Sequence, residues 1–131
     1  GNYCVTASVD TVNFLNPIEV GELVTMRASV NYVGNSSMIV GIRVESENIQ
    51  TGAIKHCNSS YFTMVSKDKE GKNATVPRLI LTNLKEVSRF QNCLKHIALK
   101  KERENQKAIA TFGSIESILN MDNYDVKIEL Q

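Results

Sequence analysis

The stretch that decides the fold is Tyr3-Cys4-Val5-Thr6-Ala7-Ser8-Val9-Asp10, close to the first residue of the chain. Apolar and polar side chains alternate along it with a period of two, which is typical of a half-buried β-strand. The pattern extends toward Phe14, and Asn16-Pro17 breaks it. The sequence therefore predicts a long strand with one apolar face.

Three more segments alternate in the same way: Val24–Tyr32, Met38–Val44 and Lys55–Val65. Short turns separate them, and we expect Gly34-Asn35-Ser36-Ser37 to reverse the chain because Gly and Asn tolerate a positive φ. Long strands joined by short turns, paired in sequence order, predict an antiparallel meander.

The period changes after Pro77. Apolar residues then recur every three or four positions, which predicts an amphipathic helix from Leu84 to Leu99. Asn83 is predicted to be the N-cap residue of this helix, and Glu86, three residues later, is predicted to complete a capping box with it. The connection through Pro77 suggests that this helix packs at an edge or end of the sheet. Its apolar positions are Leu84, Val87, Phe90, Leu94 and Ile97.

Composition limits the classes of function. The chain has 131 residues, which predicts one domain. Its net charge of +1 predicts no strong electrostatic attraction to nucleic acid or to an anionic membrane. Aromatic residues make up 6% and Trp is absent, so few stacking platforms for bases exist. No apolar run approaches the ~20 residues of a membrane helix and no signal peptide opens the chain, so we expect a cytoplasmic protein.

Cys4, Cys57 and Cys93 are an odd, widely spaced set without a C-x-x-C pair. One interpretation is that these cysteines bind a metal together with His56 and His96. The other is that the three cysteines are small, half-buried side chains and that the two histidines are exposed to solvent. The second predicts no metal and no cofactor.

The apolar side of a curved sheet has to be covered. Because Tyr3 already belongs to a strand, we expect a covering helix to lie upstream of Gly1, outside the printed chain. The segment after Lys107 is predicted to hold a short helix from Ser114 and a late strand from Val126 to Leu130, with no assigned function.

Several motifs together resemble the cytosolic acyl-CoA thioesterase branch of the hot-dog superfamily, over about residues 2–104. They occur in the family's order and comprise Cys4–Asp10, Val12–Phe14, Pro17-Ile18, Val20-Gly21, Gly34–Met38, Tyr61–Val65, Asp68, Glu70–Lys72 and Val76-Pro77.

This resemblance implies an α+β hot-dog fold, a curved antiparallel sheet around a central helix, with a C-terminal amphipathic helix. It implies a hot-dog domain over residues 1–104 and an extension over residues 105–131. The implied reaction is hydrolysis of fatty acyl-CoA to free fatty acid and coenzyme A. The implied assembly is a dimer, three of which associate as a trimer of dimers.

The family's catalytic carboxylate lies on the central helix, so the resemblance implies a position upstream of Gly1. Asp10 belongs to the matched motif but occupies a sheet position, where a hydrogen-bonding role is expected. The resemblance also implies that Asn35, Ser36 and Ser37 contact coenzyme A. Their hydroxyls and turn N–H groups suit its phosphate and amide oxygens. Lys95 and Lys100 are weaker candidates for the phosphates, since lysine acts as a point charge.

Two other interpretations stay open beside the hydrolase. One is a catalytically silent hot-dog module that binds coenzyme A or an acyl chain. The other is a truncated structural fragment that persists through contacts with other subunits.

Overall fold

The structure is a computed structural model, and it describes residues 1–109 of the chain. It contains β1 (Tyr3–Phe14), β2 (Leu23–Val33), β3 (Ser37–Glu47), β4 (Ile54–Lys67) and α1 (Leu84–Ile109). The four predicted strands and the helix are confirmed, and the helix ends at Ile109 rather than at Leu99. The short helix from Ser114 and the strand from Val126 lie outside the described residues.

The chain divides into two compact units, Gly1–Leu94 and Lys95–Gln131. The first holds the sheet and the beginning of α1, and the second holds the rest of α1. The predicted boundary after residue 104 falls inside α1 and stays a prediction.

The sheet is antiparallel with the order β1-β4-β3-β2, so the predicted simple meander is wrong for β1. β1 pairs with β4 at one edge, whereas β2 forms the other edge. The chain stays attached to β4 as it leaves β1, because the N–H groups of Leu15 and Asn16 both donate to the carbonyl of Cys57, at 2.9 and 3.4 Å. Residues 15–22 then cross to the far edge of the sheet.

One face of the sheet is mainly apolar. The register places on it Val9, Val12, Phe14, Met26, Ala28, Val30, Met38, Val40, Ile42, Val44, Phe62 and Met64. Several of these side chains are exposed in the described chain, with Phe14 83% and Met26 72% accessible to solvent. The opposite face is mainly polar, although the buried Ile39 also lies on it. The predicted division of β2 into an apolar and a polar face is confirmed as far as Val30.

Bulges change that division in the two edge strands. Val5 pairs with Val65 whereas Val9 pairs with Phe62, because a register shift at Ala7 moves the strand by one residue. Val5 and Val9 therefore lie on opposite faces, although simple alternation predicts one face for both. A similar shift at Asn31 turns Tyr32 onto the polar face.

The predicted reversal at Gly34–Ser37 is present, but its geometry differs from the expected one. Gly21, Gly52 and Gly71 adopt positive φ, as a left-handed turn residue does. Gly34 and Asn35 do not, so the expected positive φ of this reversal is wrong. The turn is closed instead by the Gly34 N–H, which donates to the Ser37 carbonyl at 2.8 Å.

The N-terminus of α1 is capped as predicted. The Glu86 N–H donates to Asn83 Oδ1 at 3.0 Å, which satisfies one of the helix's unpaired donors. The Glu86 carboxylate accepts from the N–H and the hydroxyl of Thr82, at 2.7 and 3.0 Å, so it reaches one residue further back than an ordinary capping box.

The beginning of α1 lies on the polar face of the sheet rather than over the apolar one. Phe90 stacks on Tyr32 with ring centroids 6.0 Å apart. Cys93 is fully buried, whereas Leu84, predicted on the apolar stripe, is 87% exposed. Among the described residues, no helix is both long and apolar enough to cross a membrane.

Candidate functional site

An apolar groove of about 810 Å³ runs along the apolar face of the sheet. No Asp or Glu is among the described residues that line it, so the groove suits an aliphatic ligand or an apolar helix face. Its lining is formed by Val12, Phe14, Leu15, Asn16, Pro17, Ile18, Met26, Ile42, Val44, Cys57, Asn58, Ser60 and Phe62.

Several polar contacts lie beside this groove, next to Cys57. Cys57 lines the groove, and its Sγ lies 3.1 Å from the hydroxyl of Ser46, with both residues buried. The nearby Glu22 carboxylate pairs with Lys55 at 3.0 Å. A hydrogen bond from the Glu19 N–H, followed by the bond with Lys55, lowers the pKa of Glu22. Glu22 therefore stays ionised and engaged within the turn, which indicates a structural role.

Asp10 faces away from the apolar groove. Its two carboxylate oxygens accept hydrogen bonds from the hydroxyls of Ser8 and Thr63, each at 2.6 Å. Burial, and secondly the charge of Asp10, raises the pKa of the Cys93 thiol to about 11. The Cys93 thiol is therefore neutral at physiological pH. Because both carboxylate oxygens of Asp10 accept hydrogen bonds within the sheet, Asp10 has the hydrogen-bonding role that its motif position predicts.

His56 lies beside Ser59, but the pair is not arranged for nucleophilic catalysis. His56 Nε2 lies 3.0 Å from the Asn58 carbonyl and 2.8 Å from the Ser59 hydroxyl. Because a carbonyl oxygen can only accept, Nε2 carries the proton and does not serve as the base for Ser59. No three His, Cys, Asp or Glu side chains within residues 1–109 are grouped so as to hold a metal ion.

The structure gathers Asn35, Ser36 and Ser37 in the β2–β3 turn. Backbone bonds fix this turn from two sides: the Ser36 carbonyl accepts from the Ser66 N–H at 2.8 Å, and the Asn35 carbonyl accepts from the Val76 N–H at 2.9 Å. In the described part of the chain, no hydrogen bond involves the three side chains. A rigid turn with available hydroxyl and amide groups can donate to a ligand without rearranging.

Lys95 and Lys100 lie on α1 in the unit Lys95–Gln131. Five residues along an α-helix correspond to a rotation of about 140°, so the two side chains leave the helix in different directions. Their predicted contact with the phosphates stays a prediction.

A second, polar pocket lies on the opposite face of the sheet and was not predicted from the sequence. It is lined in part by Arg27, Arg43 and Arg89. Alternation does place Arg27 and Arg43 on the wet faces of their strands. It does not show that these strands pair in a register that puts the two guanidinium groups opposite each other.

Residues 1–53 match the model of the thioesterase superfamily. Among curated proteins, the chain is 48% identical over 97 residues to protein VdlD of Helicobacter pylori, covering 71% of this chain and 55% of that protein. It is 35% identical over 103 residues to the uncharacterized acyl-CoA thioester hydrolase YkhA of Bacillus subtilis, covering 79% and 58%. The chain thus spans a little more than half the length of these two relatives.

A solved acyl-CoA hydrolase from Bacillus cereus superimposes with a TM-score of 0.73 at 30% identity, covering 85% of this chain and 68% of that one. The chain belongs to the acyl-CoA thioesterase family of the hot-dog superfamily. The predicted family and the hot-dog fold class are therefore confirmed.

Two further solved structures resemble this chain, and their descriptions give an oligomeric state and bound ligands. An apo-hexameric acyl-CoA thioesterase has a TM-score of 0.74 at 32% identity, covering 77% of this chain and 65% of that chain. An acyl-CoA hydrolase from Staphylococcus aureus, in complex with butyryl coenzyme A, coenzyme A and coenzyme A disulfide, has a TM-score of 0.72 at 29% identity, covering 89% and 69%.

Proposed function

We propose that the protein hydrolyses fatty acyl-CoA thioesters to free fatty acid and coenzyme A. The observation that carries the proposal is the apolar groove on the sheet of a chain that belongs to this family. Burial of each methylene group contributes about 0.8 kcal/mol, so an apolar groove favours a fatty acyl group over a short polar one.

The Asn35–Ser37 turn is proposed to hold the coenzyme A part of the substrate. Its backbone is fixed to β4 and to Val76, and its side-chain hydroxyls have no competing bonds within residues 1–109. Neutral donors of this kind bind phosphate and amide oxygens without the cost of burying a charge.

The family resemblance implies that a carboxylate directs water at the thioester carbonyl. Asp10 and Glu22 are held by Thr63 and Lys55, and neither lines the groove. We therefore place this carboxylate on a helix that packs against the apolar face, as the family resemblance implies. Preorganised N–H donors at a helix start would stabilise the oxyanion, a contribution of about 3 kcal/mol per donor.

A catalytically silent module that binds coenzyme A or an acyl chain is the second candidate. It is favoured by the absence of a carboxylate from the described groove lining. A truncated structural fragment, held by contacts with other subunits, is the third.

We further propose that the protein forms a homodimer and that three such dimers assemble into a hexamer. We also propose that it acts in the cytoplasm. The assembly is supported by the hexameric state of the similar apo thioesterase. The location is supported by Cys4, Cys57 and Cys93, which are free thiols, since reducing compartments keep thiols unpaired.

A panel of acyl-CoA substrates with a thiol-trapping readout tests the proposal on the full-length native protein. Release of free coenzyme A from fatty acyl-CoA supports the hydrolase. Binding of coenzyme A without any turnover would replace it by the silent module, and neither binding nor turnover would favour the structural fragment.

A further inference from the structure

A polar pocket of about 590 Å³ lies between the sheet and the first turns of α1, entirely within the unit Gly1–Leu94. Four cationic side chains line it from three elements: Arg27 of β2, Arg43 of β3, and Lys85 and Arg89 of α1. Glu45 is the single carboxylate among the described lining residues. The formal charge of the lining is thus +3, whereas the entire chain carries +1.

Arg27 and Arg43 are direct partners in the β2–β3 pairing. Side chains at such positions start about 5 Å apart, so two guanidinium groups there repel each other. Glu45 lies 3.5 Å from Arg27 and 2.7 Å from Arg43 and compensates for this in part. One carboxylate carries one negative charge, so it leaves a positive charge on this pair.

Lys85 and Arg89 form a second pair of like charges. They are four residues apart on α1, so they lie on the same face of the helix. The stacking of Phe90 on Tyr32 keeps this part of the helix on the sheet. The hydrogen bonds from Thr82 lower the pKa of the nearby Glu86, so its carboxylate is ionised and offsets part of this charge, but it does not line the pocket.

A neutral donor completes the pocket. The Ser29 hydroxyl donates to Asn31 Oδ1 at 2.8 Å, which turns the Asn31 amide nitrogen toward Gly41. A Cβ at Gly41 would collide with that nitrogen, so the glycine leaves room for the amide in the pocket lining. Guanidinium, ammonium and amide groups donate hydrogen bonds that phosphate oxygens accept, and a pocket of about 590 Å³ leaves room for the rest of a small phosphorylated molecule.

We propose that this pocket binds the phosphate group of a small phosphorylated ligand. The pocket shares no lining residue with the Asn35–Ser37 turn, and its Arg43 lies six residues along β3 from Ser37, or about 20 Å in an extended strand. The inference therefore goes beyond the proposed hydrolysis of acyl-CoA and does not depend on it.

Calorimetric titration of the full-length native protein with inorganic pyrophosphate tests this proposal. The double variant Lys85→Gln/Arg89→Gln should weaken binding about tenfold or more, because two charge-assisted contacts are lost. Glu45→Gln should strengthen it, since the one competing carboxylate is removed. Lys69→Gln/Lys72→Gln removes the same charge from an exposed turn and should leave the affinity nearly unchanged.

Competition by ADP and by coenzyme A then distinguishes the sources of the phosphate. Displacement by ADP, with or without displacement by coenzyme A, supports a site for phosphorylated ligands in general. Displacement by coenzyme A alone would overturn the separation of this pocket from the proposed coenzyme A site, and displacement by neither would show that pyrophosphate binds as an adventitious ion only. The proposal is overturned if pyrophosphate does not bind, or if the turn variant weakens binding as much as the pocket variant. Because pyrophosphate is not a thioester, failure of this test is distinct from failure of the proposed hydrolysis.

Discussion

Phe90 of α1 stacks on Tyr32 of β2, with 6.0 Å between ring centroids and 22° between ring planes. This contact forms because the register shift at Asn31 turns Tyr32 from the apolar to the polar face of the sheet. The beginning of the helix is thereby held on the polar face, and the apolar face remains open for the acyl chain and the covering helix of the proposed enzyme.

Replacing Phe90 by Ala should lower the free energy of unfolding by about 2 kcal/mol, because a half-buried aromatic contact is lost. Urea unfolding measures this change. Leu84→Ala is the matched control, since Leu84 lies on the same helix but is 87% exposed, and its effect should stay within about 0.5 kcal/mol. Equal effects of the two variants would contradict the stated role of the stack.

Replacing Asn83 by Ala should cost about 1 kcal/mol, because the Glu86 N–H loses its cap. Thermal unfolding followed by helix content is the measurement. Ser88→Ala, at an exposed position inside α1, should change stability by less than about 0.5 kcal/mol. A smaller loss for Asn83→Ala than for Ser88→Ala would show that the cap does not stabilise the helix.

Periodicity and capping residues were sufficient to predict the four strands and the start of α1. These features depend on neighbours in sequence: alternation for β3, and the hydrogen-bonding geometry of Asn83 and Glu86 for the helix. The extension of α1 beyond Leu99 was missed, because the apolar spacing stops there while good helix formers such as Lys and Glu continue.

The position of β1 and the second pocket could not be predicted in this way. Pairing of β1 with β4 depends on the path of residues 15–22, and the faces of Val9 and Tyr32 depend on bulges that no local pattern marks. The convergence of Arg27 and Arg43 follows from strand register. The Asn35 turn was identified from motif resemblance, and its role in coenzyme A binding stays a proposal.

The Glu22–Lys55 pair predicts a pH dependence of stability. The bonds of Glu22 lower its folded pKa below the ordinary 4.5, so its contribution is present above pH 4.5 and is lost as pH falls through the folded value. The bond with Glu22 raises the pKa of Lys55 above 10.5, so that contribution is lost as pH rises through the folded value. Glu22→Gln should therefore reduce the acid limb of a plot of unfolding free energy against pH, while Glu45 and Glu86, whose pKa values are also lowered, keep their part of it. Glu70→Gln, in the exposed Asp68–Lys72 turn, should retain that limb, and a full acid limb in Glu22→Gln would refute the assignment.

Replacing Ser36 and Ser37 by Ala should weaken coenzyme A binding about tenfold while Tm barely moves, because each hydroxyl contributes a bond to the ligand and none to the described protein. Calorimetry and a thermal melt measure the two effects. Ser88→Ala serves as the hydroxyl-loss control on α1. An unchanged affinity would mean that the turn is an ordinary hairpin connection.

The most direct test is the steady-state hydrolysis of a series of acyl-CoA thioesters of increasing chain length by the full-length native protein. If the apolar face of the sheet receives the acyl chain, kcat/KM should rise about fourfold per added methylene over the first members of the series. Cleavage that is absent throughout the series, or equally fast for acetyl and fatty acyl thioesters, would contradict the assignment of this face to the acyl chain.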